Sequence, residues 1–182
     1  MENRLNMYNI KIEGDQFEQV WGEDIVGNIV YKTVNQLKQY PHLDDSVFLC
    51  LANGGNWFFD NILKGFPEEP LRVEYALLSS YEGSRRSYIK KIFFPKPEKF
   101  KGKHIFIFDD IIDSGNTAAY VINKLLGVGV ESINVCVLCK RETALLEPWN
   151  SPLIVDDGKW LVGCGMDYKG RGRNLGAIYG KI

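Results

Sequence analysis

His104-Ile-Phe-Ile-Phe-Asp-Asp-Ile-Ile-Asp-Ser-Gly-Asn-Thr117 is the stretch of sequence that decides the fold of this chain. The run from His104 to Phe108 is short, apolar, and rich in β-branched and aromatic residues, and a helical pattern follows the whole stretch. Such a run is typical of a central strand in a parallel sheet. We therefore predict a buried strand over His104 to Phe108, with polar residues at its carboxyl end.

The polar residues at this strand end indicate a ligand with both hydroxyl and phosphate groups. Asp109, Asp110 and Asp113 lie close enough to repel one another, so they require a cation, a metal or hydroxyl donors. The turn from Ser114 to Thr117 then opens a helix, where free backbone N–H groups and side-chain hydroxyls favour an anion. A ribose 5-phosphate has both features.

Length and composition indicate one globular domain. The 182 residues can bury a sizeable core, and 45% hydrophobic with 25% charged residues is ordinary for such a domain. The formal net charge of -1 argues against a strongly basic nucleic-acid surface, although a local basic patch stays open. The segment Met1–Asn6 lacks the apolar core of a signal peptide, and no run is long enough to span a membrane. We expect a cytoplasmic protein without a membrane partner.

The four cysteines favour reduced core residues over a disulfide framework, because each lies in an apolar run. Cys136 and Cys139 have the spacing of a redox or zinc pair. They lie in a predicted strand, however, where residues three apart point to opposite faces. A core role is the favoured interpretation.

The rest of the chain alternates between helical and strand patterns. The predicted strands are Ser46–Leu51, Arg72–Ser79 and Ile133–Cys139, and the predicted helices are Phe17–Leu37, Trp57–Leu63 and a segment that ends at Gly127. This order predicts an α/β protein with a parallel sheet. Ligands of such proteins bind at the carboxyl ends of the strands.

The segment from Asp109 to Thr117 resembles the phosphoribosyl pyrophosphate (PRPP) motif of type I phosphoribosyltransferases. That motif has two acidic residues, two apolar residues, Asp, Thr or Ser, Gly, any residue and Thr. The resemblance implies one phosphoribosyltransferase domain over residues 1–182: a mainly parallel sheet flanked by helices (about 15–140) and a small hood (about 141–182) with a possible N-terminal contribution. It implies that Asp109 and Asp110 bind ribose and magnesium. The implied 5-phosphate site is Asp113, Ser114, Gly115, Asn116 and Thr117.

A second segment, from Leu51 to Asp60, has two glycines between a predicted strand and helix, which allow close approach of backbone to ligand. It resembles the pyrophosphate-binding loop of hypoxanthine and guanine phosphoribosyltransferases. The resemblance implies that Asn53, Gly54 and Gly55 bind pyrophosphate, and that the Ala52-Asn53 peptide is cis. Asn53 stands where those enzymes usually have Lys, which removes one positive charge.

The polar segment from Leu78 to Ser87 has the composition of a flexible loop, and taken alone it favours an ordinary surface hairpin. In the family, a mobile loop with a Ser-Tyr pair closes over the reaction centre and excludes water. Ser80 and Tyr81 match that pair, which implies a contact with pyrophosphate. Arg85 and Arg86 would add positive charge there in a closed state.

The C-terminal region resembles the hood of 6-oxopurine phosphoribosyltransferases, in which an aromatic residue, two apolar residues and Gly precede an Asp-Tyr pair and a later Arg. The implied purine site is Ile111, Lys140, Trp160, Leu161 and Asp167. Trp160 offers a face for stacking, and Lys140 can donate to a 6-oxo group. Asp167 would accept from a 2-amino group or hold magnesium. Arg173 matches the Arg that reaches pyrophosphate.

Together, the resemblance implies transfer of a phosphoribosyl group from PRPP to hypoxanthine, guanine or xanthine in purine salvage, with Mg²⁺ as cofactor and pyrophosphate as product. Asp113 is the candidate general base. The family leads us to expect a homodimer or homotetramer. Two alternatives stay open: an enzyme for a modified or different base, and a PRPP-sensing regulator that binds nucleic acid, which the slightly acidic net charge disfavours.

Overall fold

The computed structural model of the chain describes residues 9–68, 70–83, 86–155 and 158–182, with residues 79–92 described by their backbone alone. The strands are β1 Asn9–Ile12, β2 Asp15–Trp21, β3 Ser46–Ala52, β4 Arg72–Gly83, β5 Arg86–Phe93, β6 His104–Ile112, β7 Ser132–Arg141, β8 Leu153–Val155, β9 Leu161–Val162 and β10 Ile178–Lys181. The α-helices are α1 Glu23–Lys38, α2 Asn56–Leu63 and α3 Asn116–Leu126. Two short 3₁₀-helices span Leu43–Asp45 and Pro97–Lys99.

The larger sheet has the order β5-β4-β3-β6-β7-β8, so the strand predicted from the opening stretch lies inside it. All neighbouring strands are parallel except β4 and β5, which are antiparallel. Side chains of β6 alternate between two buried layers, as the strand period of two requires. Phe106 and Phe108 pack with α1 and α2, while Ile105 and Ile107 pack with α3. The predicted α/β fold with a mainly parallel, helix-flanked sheet is confirmed.

The smaller sheet, which we call the hood sheet, has the order β1-β2-β10-β9 and is antiparallel throughout. It joins the N-terminal hairpin to the last strands of the chain. The prediction of a helix from Phe17 was wrong for Phe17 and Val20, which lie in β2, because α1 begins only at Glu23. Phe17 and Val20 are three residues apart, which fits a helix locally. Pairing of β2 with β10 and burial of Phe17 in the hood stabilise a strand there instead.

Two boundaries differ from the prediction because backbone pairing extends beyond the apolar runs. Strand β6 continues past Phe108 to Ile112, where it still pairs with β7, so Asp109 and Asp110 lie within the strand. The polar segment after Leu78 is strand as far as Gly83, where β4 and β5 pair as a hairpin. This confirms the hairpin that the segment alone favoured, although its composition is that of a flexible loop. Ser80 and Tyr81 lie on β4 with side chains outside the described part of the chain, and Met1–Asn6 and Arg85 lie wholly outside it.

All four cysteines are buried free thiols, which confirms their assignment to the core. Burial raises the pKa of Cys164 to about 12, and it also raises the pKa of Cys136. Neither thiol is therefore a ready nucleophile at neutral pH. Among the helices that the structure describes, none is long and apolar enough to cross a membrane.

The buried side-chain amide of Asn150 satisfies backbone groups of β7 where, in the described part of the chain, no neighbouring strand pairs with them. Asn150 accepts a hydrogen bond from the Val137 backbone N–H at 3.0 Å, and its Nδ2 donates to the Val137 carbonyl at 2.8 Å. The same Nδ2 reaches Thr33 Oγ1 of α1 at 3.2 Å. Asn150 thus acts as a strand partner for Val137 before β8 begins.

We expect Asn150→Leu to lower the free energy of unfolding by about 2 to 4 kcal/mol, because it leaves a buried N–H and a buried carbonyl of Val137 unpaired. Urea denaturation followed by circular dichroism measures the change. Asn28→Ala on the exposed face of α1 is the control and should shift stability by no more than about 0.5 kcal/mol. Equal stability of the two variants would contradict this role for Asn150.

Candidate functional site

The loop after β3 lies directly against the end of β6. The Ala52-Asn53 peptide is cis, which confirms the predicted non-proline cis bond. A Cβ atom built on Gly54 would collide with the Asp110 carboxylate, and one on Gly55 would approach the Phe108 and Leu51 carbonyls. Backbone atoms therefore require glycine at Gly55, and any side chain at Gly54 would have to displace the Asp110 carboxylate. The structure therefore brings the predicted pyrophosphate loop and the acidic pair together.

Asp109 and Asp110 form a half-buried carboxylate pair. The Asp110 backbone N–H donates to Asp109 Oδ1 at 3.0 Å, and the Ile111 N–H donates to Asp110 Oδ1 at 2.8 Å. Burial and then repulsion by Asp110 hold the pKa of Asp109 well above its usual range, and burial also raises the pKa of Asp110. The protein alone therefore stabilises this negative charge poorly, as the opening stretch predicted.

The acidic pair suits a cation that is also held by ligand oxygens. Among the described residues, there is no group of three or more His, Cys, Asp or Glu side chains that could hold a metal by itself. Magnesium is commonly held by one or two carboxylates together with substrate phosphates and water. The chemistry of these carboxylate donors fits Mg²⁺ on those terms.

We expect Asp109→Asn to raise the free energy of unfolding of the ligand-free protein at pH 8 by about 0.5 to 2 kcal/mol, a gain in stability at the expense of function. The pKa of Asp109 is higher in the folded protein than in the unfolded chain. Protonated Asp109 therefore contributes its full stability below the unfolded-state pKa, and this contribution is lost as the pH rises through the folded-state pKa. The Asp109 contribution is thus lost at pH 8 and present near pH 4, so the variant's gain should shrink there.

Thermal unfolding at both pH values measures the effect. Asp44→Asn, at an exposed position in a 3₁₀-helix, is the control and should change little. A loss of stability in Asp109→Asn at pH 8 would contradict the predicted charge penalty.

The turn after β6 leads into α3 with a left-handed glycine. Gly115 has φ +80° and precedes the first helical residue, Asn116, while Thr117 follows in the first turn. The Asn116 N–H approaches Ser114 Oγ at 3.4 Å. The first turn of a helix presents backbone N–H groups without intrahelical partners, which suits an anion. The predicted 5-phosphate site at this turn stays a prediction.

A cleft of about 800 Å³ lies between the end of β6 and the hood. Its lining residues are Asp110, Ile111, Asp113, Ser114, Arg141, Thr143, Val155, Gly158, Lys159, Trp160, Leu161, Met166 and Asp167. Asp113 is exposed and Trp160 keeps 57% of its surface exposed. The Asp113 carboxylate and the partly exposed Trp160 indole therefore line one cleft, and its use as a purine site stays a prediction.

The hood part of the cleft is held by bonds among the predicted site residues themselves. Trp160 Nε1 donates to the Asp167 main-chain carbonyl at 2.7 Å. The Asp167 carboxylate accepts from the Gly170 N–H at 2.7 Å and pairs with the Arg173 guanidinium. Arg173 also donates to the Gly165 carbonyl at 2.7 Å. Asp167 and Arg173 are thus partners of each other.

A second cavity of about 500 Å³ adjoins the pyrophosphate loop. It is lined by Asn53, Asn56, Trp57, Gly165, Arg173 and Asn174. Gly165 has φ +103°, and a Cβ built on it would collide with the Gly54 carbonyl oxygen. The loop after β3 and the hood therefore touch at this point. The Asp167–Arg173 pair joins the two cavities, because Asp167 lines the first and Arg173 the second.

Of the five residues predicted for the purine site, Lys140 is the one that does not line the cleft. Its side chain is buried, and its Nζ donates to Glu147 Oε1 at 2.5 Å. An ammonium has three N–H donors, so Lys140 can keep this ion pair and also donate to a ligand that reaches it. Leu161 and Ile111 do line the cleft, the first buried and the second half-buried.

The side of the hood away from the cleft is tied to the N-terminal hairpin. Tyr168 donates to Asp15 Oδ2 at 2.7 Å, and Lys181 Nζ lies 3.0 Å from Asp15 Oδ1. These two hydrogen bonds lower the pKa of Asp15 to about 2. The Tyr168 ring meets the Trp160 ring edge to face, with centroids 6.2 Å apart. The N-terminal strands therefore support the aromatic residue of the cleft.

Sequence reasoning missed Arg141, Asn56 and Trp57 as lining residues. Asn56 and Trp57 directly follow the Gly-Gly pair, which was a usable signal. Arg141 gave no such signal, because its partner Asp113 lies 28 residues away in the chain.

Comparison with known proteins adds a family and a set of relatives. The family model described as "Phosphoribosyl transferase domain" matches residues 16–169. The hypoxanthine-guanine-xanthine phosphoribosyltransferase of Tritrichomonas foetus is 26% identical over 169 residues, covering 90% of this chain and 91% of that protein. The hypoxanthine phosphoribosyltransferase of Haemophilus influenzae is 31% identical over 154 residues, covering 82% and 84%.

Solved structures of other proteins have the same fold as this chain. A hypoxanthine phosphoribosyltransferase from Staphylococcus aureus superposes with a TM-score of 0.79 at 22% identity, covering 91% of each chain. A hypoxanthine-guanine phosphoribosyltransferase from Bacillus anthracis superposes with a TM-score of 0.73 at 19% identity, covering 95% of this chain and 100% of that one. Both share the α/β architecture described above.

Proposed function

The chain belongs to the phosphoribosyl transferase family, and on that premise we propose that it transfers the 5-phosphoribosyl group of PRPP to a 6-oxopurine base. The products are pyrophosphate and a nucleoside 5-monophosphate, and the process is purine salvage. The names of the relatives support a 6-oxopurine substrate. The observation that best supports the proposal is the cleft itself, in which Asp113, the turn at Ser114 and the open face of Trp160 line one space.

The sugar phosphate is proposed to bind along the end of β6. The backbone N–H groups of Ser114 to Thr117 would hold the 5-phosphate, since a helix N-terminus favours an anion. Asp109 and Asp110 would accept hydrogen bonds from the ribose hydroxyls and stabilise the positive charge that develops at the anomeric carbon. When bound, magnesium supplies the positive charge that neutralises the pyrophosphate group as it leaves.

The base is proposed to bind between Trp160 and the end of β6. A bond forms between an imidazole-ring nitrogen of the purine and the anomeric carbon, the bond from that carbon to pyrophosphate breaks, and Asp113 accepts the ring proton. Stacking on Trp160 contributes about 1 to 3 kcal/mol by analogy with other base–aromatic contacts. Lys140 would select a 6-oxo group with one of its three N–H donors, another of which binds Glu147.

A 2-amino group of the base is proposed to donate hydrogen bonds to the main chain at Leu161 and to the carboxylate of Asp167. Asp167 already accepts hydrogen bonds from Trp160, Gly170 and Arg173. A 2-amino group would compete with these donors. If Arg173 turns toward pyrophosphate, as proposed, one Asp167 oxygen becomes available for the base or for magnesium.

Pyrophosphate is proposed to lie at Asn53, Gly54 and Gly55 beside Arg173, with Ser80 and Tyr81 approaching from the β4 strand. The juxtaposition of the glycine loop with the acidic pair supports this placement. A cytoplasmic location and a homodimeric or homotetrameric assembly are proposed from the family alone.

The proposed function is tested by incubating the protein with PRPP, Mg²⁺ and one base at a time and measuring pyrophosphate release. Hypoxanthine, guanine and xanthine are the candidate acceptors, and adenine is the control for 6-oxo selection. Release with at least one oxopurine and little with adenine is expected. No release with any of the three oxopurines would defeat the assignment.

We expect Asn53→Lys to tighten pyrophosphate binding by about 3- to 10-fold, because it adds a charge-assisted hydrogen bond in a cavity where Arg173 is already paired with Asp167. Titration calorimetry with magnesium pyrophosphate measures the dissociation constant. Asn53→Gln is the matched neutral control and should leave affinity within about 2-fold. Equal affinities of the Lys and Gln variants would show that Asn53 does not face pyrophosphate.

A further inference from the structure

Arg141 connects the two sides of the cleft in the described structure. Its Nε lies 2.8 Å from Asp113 Oδ1, and its Nη2 donates to the main-chain carbonyl of Lys159 at 2.7 Å. Lys159 directly precedes Trp160. One guanidinium thus contacts the proposed general base and the backbone that holds the proposed stacking residue.

The two members of the ion pair differ in how firmly the fold holds them. Asp113 lies in the turn after β6, and its side chain is 70% exposed. Arg141 ends β7, pairs with Val155 of β8, and has a side chain only 15% exposed. Its carbonyl also accepts a hydrogen bond from the Ala144 N–H at 3.0 Å. The arginine is therefore the fixed member, and the carboxylate is the member that needs orientation.

A general base must lie within hydrogen-bond reach of the proton that it accepts. An exposed Asp in a turn samples several rotamers, and only some of them point its carboxylate into the cleft. The planar guanidinium fixes direction as well as charge, because its separate N–H groups bind two acceptors in a rigid geometry.

We propose that Arg141 is a positioning residue that holds the Asp113 carboxylate in place and links it to the hood at Lys159. The inference rests on the proposed function, since it assigns Arg141 a task in that reaction. Arg141 acts through Asp113 rather than on the substrate, so its loss should affect turnover more than PRPP binding.

Steady-state kinetics of Arg141→Gln and Arg141→Lys test the proposal. We expect Arg141→Gln to lower kcat by about 10- to 100-fold, less than the loss of the base itself, with KM for PRPP changed by less than about 3-fold. Arg141→Lys should retain an intermediate kcat, because an ammonium keeps the charge and one bond but lacks the fork. Added methylguanidinium should restore part of the turnover of Arg141→Gln.

A double-mutant cycle with Asp113→Asn separates positioning from general structural damage. If Arg141 acts through Asp113, Arg141→Gln should lower kcat by less than about 3-fold in the Asp113→Asn background. Arg171→Gln is the control, since Arg171 is exposed in the hood and pairs with Glu13. Its kcat should match that of the unmodified protein.

The outcomes are distinguishable. An active unmodified protein with full kcat in Arg141→Gln would overturn the inference and leave the proposed function standing. An equal loss of kcat in both backgrounds would also overturn it, because Arg141 would then act independently of Asp113. Absence of transferase activity in the unmodified protein with every oxopurine would overturn both.

Discussion

Asp113→Asn is expected to lower kcat for phosphoribosyl transfer by about 10²- to 10⁴-fold, the usual contribution of a positioned general base. The amide has the size of the carboxylate and can still accept a hydrogen bond from Arg141, but it cannot take the purine ring proton. Asp113 is exposed at the cleft, so the substitution should leave the fold unchanged. PRPP should still bind, because the backbone N–H groups of the turn remain.

Pre-steady-state measurement of nucleotide formation, together with calorimetric titration of PRPP, separates chemistry from binding. Glu131→Gln, at an exposed position next to the start of β7, is the control and should keep full turnover. Retention of full turnover by Asp113→Asn would remove Asp113 from the role of general base. A loss of PRPP affinity that matched the loss of rate would instead assign Asp113 to binding.

Gly165→Ala is expected to lower the free energy of unfolding by about 3 kcal/mol or more. The backbone at Gly165 has φ +103°, where an L residue is strained, and the new Cβ would collide with the Gly54 carbonyl. The contact between the loop after β3 and the hood must then open. Because Gly54 also lies against Asp110, pyrophosphate affinity should fall at the same time.

Gly14→Ala is the matched control for Gly165→Ala. Gly14 has a similar positive φ of +86°, but a Cβ atom added there would have no other atom within 4 Å. The control therefore isolates backbone strain, which should amount to about 1 to 2 kcal/mol. Urea denaturation of both variants measures the difference. Equal losses would show that the contact with Gly54 adds nothing to stability.

Much of the larger sheet was predictable because it depends on local patterns. Uninterrupted apolar runs predicted β3, β6 and β7, and turn residues marked their ends. The predictions were wrong where pairing partners outweigh local pattern. Phe17 lies in a strand because β10, from the far end of the chain, pairs with β2. The hairpin favoured for the segment after Leu78 is confirmed, and its polar residues extend β4 because β5 pairs with them.

In the site, as in the fold, the features that follow from local sequence could be predicted, and those that depend on distant segments could not. The order of Asp109, Asp110, Asp113 and the small-residue turn predicted a sugar-phosphate site, since all of these residues follow one strand. The adjacency of Gly54 to Asp110 was foreseeable, because β3 and β6 are parallel neighbours whose carboxyl ends share one edge. The contact between Lys140 and Glu147 depends on the path of the loop that carries Glu147, and no periodic pattern in the sequence predicts that path.

The sequence by itself determined the α/β class, the acidic strand end and the residue types available to bind a phosphoribosyl group and a purine. Only the tertiary structure decided the partners of those residues: Arg141 for Asp113, Arg173 for Asp167, and Gly54 for Gly165. Periodicity and turn chemistry act over a few residues, so they can be read along the chain. An ion pair or a backbone contact depends on where distant strands end in space, and that is set by the packing of the whole fold.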